Sequence, residues 1–129
     1  MSHSIKNLRE VHDSAPDHGF GDNQEARFAR EALDAETTGL AYHVIKAGKR
    51  QGFAHKHDDA EEVYVVLSGT GRIKLDDEIL DIGPMDAIRI APSVARALEA
   101  GADAPMEILA FGPHHDKDGE LVHDPGFWG

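Results

Sequence analysis

From residue 37 to residue 113, apolar runs of four to eight residues alternate with turn-forming residues every six to twelve positions. No long stretch keeps a helical period, and no strand–helix–strand alternation is present. Short strands punctuated this often predict an antiparallel sandwich or jelly-roll barrel. The strands are expected at Leu40 to Ala47, Val63 to Leu67, Arg72 to Leu75, Glu78 to Ile82, Ala87 to Ile90, Val94 to Ala100 and Met106 to Phe111. The Val63 to Leu67 run reads as buried on both faces. Asp76-Asp77 lies between two of these runs, and aspartate tolerates the positive φ of a tight turn, so a two-residue hairpin is expected there. Residues 25 to 33 are rich in helix formers, yet their alternation also permits a strand, which the β-rich remainder favours. Residues 1–24 read as a polar arm, 25–113 as the barrel and 114–129 as a polar tail whose Phe127 and Trp128 dock on the barrel or across a dimer interface.

At 129 residues the chain is expected to form one domain. A formal charge of −11 argues against nucleic acid and anionic membranes as partners. There are no cysteines, which removes disulfides, thiolate metal sites and thiol nucleophiles. No signal peptide or membrane span is visible, so a cytoplasmic protein is expected.

The chemistry concentrates in Gly52 to Gly69. His55 and His57 are one residue apart, so on a strand they share a face. Glu62 opens the next strand and can point back at them. Two imidazoles and a carboxylate suit non-haem iron and several zinc sites. Glu61 is the alternative inward carboxylate if the loop carries a bulge. Tyr64 shares parity with Glu62 and is a candidate cavity residue. Of Tyr42 and His43 only one can face inward, and Tyr42 is the expected core residue. His114, His115, Asp116 and His123 read as a polar tail rather than a second ion site.

These residues resemble the cupin superfamily, in particular its small, stand-alone bacterial members. His55, His57, Glu62 and Gly69 match that family's first motif, with four and six residues between the last three. Gly48 lies one position further from His55 than the usual leading glycine. The second motif corresponds to Ile90-Ala91-Pro92-Ser93-Val94-Ala95-Arg96, with Ser93 in place of glycine and Arg96 in place of the last metal-ligating histidine. The resemblance implies a double-stranded antiparallel jelly-roll barrel, commonly dimeric. It also implies a divalent Fe, Mn, Ni, Co or Zn ion on His55, His57 and Glu62, and dioxygenase, isomerase or decarboxylase chemistry.

Arginine stays protonated and cannot ligate a metal. Two arrangements are therefore open. Arg96 faces the ion's open positions and, with Tyr64, binds an anionic small molecule. Otherwise Arg96 forms a bidentate pair with Glu62 in a metal-free, non-catalytic binding pocket. A +1 charge about 6 Å from a +2 ion costs on the order of 5 kcal/mol at an effective dielectric of 20, which Glu62 offsets in part.

Overall fold

The computed structural model describes residues 2–129. Among the described residues ten strands form two five-stranded antiparallel sheets. The first contains, in spatial order, β1 (Gln24–Phe28), β2 (Thr38–Ile45), β9 (Met106–Pro113), β4 (Glu62–Ser68) and β7 (Ala87–Ile90). The second contains β10 (Gly119–Val122), β3 (Ala54–His57), β8 (Arg96–Ala100), β5 (Gly71–Leu75) and β6 (Glu78–Ile82). The crossovers between distant strands are those of a jelly roll. No helix among the described residues is long and apolar enough to cross a membrane.

Side-chain alternation builds the interior. Ala41 and Ile45 of β2, Tyr64 and Val66 of β4, Ile73 of β5, Leu98 and Ala100 of β8, and Met106, Ile108 and Ala110 of β9 form one buried cluster. On these strands every second residue points inward. β4 obeys this rule rather than burying both faces: Tyr64 and Val66 are enclosed, whereas Leu67 is 41% exposed. The expectation of a strand buried on both sides is corrected accordingly; one face of this antiparallel sheet meets solvent.

The expected Asp76-Asp77 hairpin joins β5 to β6, with Leu75 paired to Glu78 and Asp76 at φ 52°. At the β4–β5 turn Gly69 has φ +78°, and a Cβ there would lie 2.2 Å from the Pro105 carbonyl oxygen, so no larger residue fits. The 25 to 33 segment divides between its two tendencies. The strand ends at Phe28, and the Leu33 N–H donates to the Ala29 carbonyl, a single helical turn.

The arm carries one 3-10 turn at Leu8–Glu10 and another at Pro16–His18. Asp13 fastens it to β1 by accepting from the Ala26 N–H at 2.9 Å. The segment after residue 114 is more than a polar tail. Its residues 119–122 form β10, paired in register with β3. Trp128 lies against the guanidinium groups of Arg50 and Arg72, 4.8 and 5.8 Å from the ring centre, which docks the end of the chain on the second sheet.

Candidate metal centre

Strand parity places His55 and His57 on the inward face of β3, with their rings 5.4 Å apart and nearly perpendicular. The single register pair between β3 and β8 is His55 with Arg96, which sets the arginine beside the histidines. β4 begins at Glu62, whose inward parity is that of Tyr64 and Val66. Glu62 Oε1 therefore sits 3.5 Å from His55 Nε2, 3.4 Å from His57 Nε2 and 2.7 Å from Arg96 Nη1. Glu61 turns outward and pairs with Arg89 at 2.6 Å on the surface.

Among the described residues, His55, His57 and Glu62 form the one group whose ligand atoms all lie within 4.8 Å of one another. Donors at about 2.1 Å from a common ion are about 3.4 Å apart in tetrahedral geometry. The two carboxylate–imidazole separations fit that spacing. Among the described residues, His57 Nε2 is buried without a hydrogen-bond partner. A bare nitrogen opposite a carboxylate oxygen is unfavourable unless a cation, whether a proton or a metal ion, stands between them. The donor set and this orphaned atom both fit a divalent ion.

The site's electrostatics follow from the same contacts. Burial alone would raise the Glu62 pKa; contacts with the His55 and His57 rings reverse this and hold it well below the usual carboxylate range. Glu62 in turn holds the His57 pKa above the ordinary histidine value, against burial and the Arg96 charge. The Tyr64 hydroxyl is pushed well above its usual value by burial and then by Glu62.

Arg96 is fully enclosed and its guanidinium is heavily engaged. Nε donates to the Val94 carbonyl at 3.0 Å, and Nη2 donates to Ala91 and Pro92 at 2.9 and 3.2 Å. It reaches Glu62 through one oxygen, so the contact is not the bidentate pair considered from sequence. Tyr64, the other expected substrate contact, is equally closed off at 1% exposure. In this arrangement Arg96 is spent on Glu62 and three backbone carbonyls, and Tyr64 lies beside Glu62.

Two further residues emerge. His43 shares the inward face of β2 with Ala41 and Ile45 and is buried, while Tyr42 faces outward beneath Arg9 and hydrogen-bonds Glu107. The inward place goes to His43 and not to Tyr42, although Tyr42 is also buried, on the other face of the strand. Alternation separates the two faces but does not say which is inner, and the arm covers Tyr42 from outside. Burial, then the His55 charge, lowers the His43 pKa to about 4. Asp118 lies 3.2 Å from His57 Nδ1 and is buried. Sequence gave no signal for it, because 61 residues separate it from His57. His114 pairs with Asp116 at 2.8 Å.

Comparison with known proteins agrees with this architecture. Residues 41–112 match the cupin domain family. An uncharacterised protein of Methanocaldococcus jannaschii is 31% identical over 85 residues, spanning 64% of this chain and 67% of the relative. A cupin protein of Bacteroides fragilis superposes with a TM-score of 0.72 at 22% identity, covering 100% of this chain and 96% of that one. A cupin-superfamily sugar phosphate isomerase of Silicibacter pomeroyi gives a TM-score of 0.74 at 14% identity, covering 94% and 83%. At such identities these structural likenesses speak to the fold alone. The family match spans more than half of the chain and contains His55, His57, Glu62 and Arg96: the protein belongs to the cupin domain family.

Proposed function

We propose that this protein binds one divalent transition-metal or zinc ion through His55, His57 and Glu62, and acts there on a small anionic molecule. The observation that carries the reading is the buried, unpartnered Nε2 of His57, directed at the carboxylate that also meets His55. When bound, such an ion supplies Lewis-acid polarisation or redox chemistry.

The chain's own residues do the rest. Arg96 holds Glu62 in place and is itself held by three carbonyls. Tyr64 encloses Glu62 from the core side, and His43 adds a neutral imidazole to the interior. The His55 side chain is 23% exposed, so the site is reached from solvent on that side. A divalent ion with Arg96, Glu62 and Asp118 leaves the site with a single net positive charge. That favours an anionic ligand within an otherwise acidic protein. The sugar phosphate isomerase of like fold provides a reasonable first class of small anion to test.

Metal analysis of protein purified without chelator is expected to find near one Fe, Mn, Ni, Co or Zn per chain. His57→Ala is expected to lower zinc affinity at least about 100-fold. Protein that stays metal-free after each metal is supplied removes the reading. A second reading has one observation in its favour: Glu62 Oε1 already accepts from Arg96 at 2.7 Å. In that case the pocket is a metal-free binding module, and a small anion binds with equal affinity before and after chelation.

A further inference from the structure

β10 and the residue before it lie outside the segment that matches the cupin family. Asp118 nevertheless ends up buried against the site. Its Oδ1 accepts from the Asp59 N–H at 2.8 Å, and its Oδ2 accepts from the Ala60 N–H at 3.0 Å. The same Oδ2 lies 3.2 Å from His57 Nδ1. Its backbone carbonyl accepts from the Asp58 N–H at 3.1 Å. Gly119 follows at once and pairs with His57 across β10 and β3. One residue of the C-terminal strap therefore clamps the 58–61 loop and touches one of the two histidines.

The contact has a chemical consequence. Both oxygens of Asp118 accept backbone N–H bonds, which holds the group as a carboxylate. A carboxylate can only accept from a neutral imidazole. Two carboxylates flank the ring, but only Asp118 meets it in hydrogen-bond geometry, at Nδ1; Glu62 stands 3.4 Å from Nε2 without forming a bond, so in the neutral ring the hydrogen goes to Nδ1 and the lone pair is left on Nε2. Nε2 is the atom that lies buried, without a partner, opposite Glu62. His55 has no carboxylate on its far side among the described contacts.

We propose that Asp118 is a positioning residue that selects the Nδ1–H tautomer of His57 and so presents Nε2 as the donor to the metal site. The consequence for metal affinity rests on the metal-binding reading above; the tautomer claim does not. Carboxylates behind ligating histidines are worth about 10- to 100-fold in metal affinity.

The test measures ring-nitrogen NMR shifts of the metal-free protein at the high-pH plateau of a titration, together with zinc affinity by chelator competition. The wild type is expected to show His57 as Nδ1–H. Asp118→Ala is expected to move His57 toward Nε2–H, leave the His55 tautomer unchanged and weaken zinc binding about 10- to 100-fold. Asp118→Asn, which removes an acceptor at similar volume, is expected to weaken zinc binding in the same direction. A melting curve and the backbone amide spectrum check that each variant is folded. A purely structural clamp would lower the melting temperature while His57 kept its tautomer, and that result overturns the proposal. So does a wild-type His57 found as Nε2–H. If the tautomer responds as expected but wild type takes up no zinc, the positioning claim stands and the metal reading falls.

Discussion

The barrel interior has two unlike ends built from the same strands. On β8 the inward residues run Arg96, Leu98, Ala100; on β4 they run Glu62, Tyr64, Val66. In both, a charged residue opens the strand and apolar packing begins two residues later. The apolar end is ordinary close packing, in which any similar volume suffices. The charged end is a connected polar network. Arg96 serves Glu62 and three carbonyls, and Glu62 serves both histidines. The comparison teaches that the polar end depends on each member being present, whereas the apolar end depends on total volume. A charge can be buried here because its partners arrive with it.

Removing a member should therefore cost most at the polar end. Arg96→Ala takes the guanidinium away from the half-buried Glu62 carboxylate and the Val94 carbonyl, leaves a gap where a fully enclosed side chain stood, and is expected to destabilise by about 3–5 kcal/mol. Leu98→Ala, two residues along, is expected to cost about 2–5 kcal/mol, with zinc affinity kept. Urea titrations of the metal-free proteins read both. If Arg96→Ala costs under about 1 kcal/mol, the network does not hold the strand ends together.

Titration sharpens the contrast next. His43 is buried, with a pKa near 4 against an ordinary 6.5. As pH falls through this window the unfolded chain takes up the proton and the folded chain does not. Stability should therefore rise with pH between about 4 and 6.5, by on the order of 3 kcal/mol for this group. Replacing His43 by Asn should flatten that limb of the stability–pH curve. An unchanged slope would show that another group produces it.

The smallest effect should come from the outward one of the two neighbouring carboxylates, Glu61. Glu61→Gln breaks a surface pair with Arg89 and is expected to cost under about 1 kcal/mol with zinc affinity unchanged. Glu62→Gln is expected to lower zinc affinity at least about 100-fold. Equal effects on binding at the two positions would mean that the inward and outward faces do not differ as drawn.

Much of the site can be read from local rules. The one-residue gap between His55 and His57 predicts a shared face, and the structure has them on one face of β3. The short spacing to Glu62 brings the carboxylate back across a tight loop. The hairpin at Asp76-Asp77 is equally local. What escaped was set by distant chain. Residues 25–33 suit both helix and strand; pairing with β2 settled the first half as strand and left one helical turn in the second. Tyr42 is buried as expected, but on the outer face, under Arg9 and against Glu107, and His43 took the inner place.

Local chemistry was enough for most of the strands and turns and for the grouping of residues onto faces, because a strand's period of two and a turn's φ requirements act over a few residues. Long-range packing set the rest: which face is interior, how Arg96 spends its donors, and that Asp118 stands behind His57. Those depend on which strands meet: β8 beside β3 at one residue pair, and β10 returning from the end of the chain to close the sheet. Contacts between residues so far apart in sequence carry no local signal; they exist only once the barrel has closed.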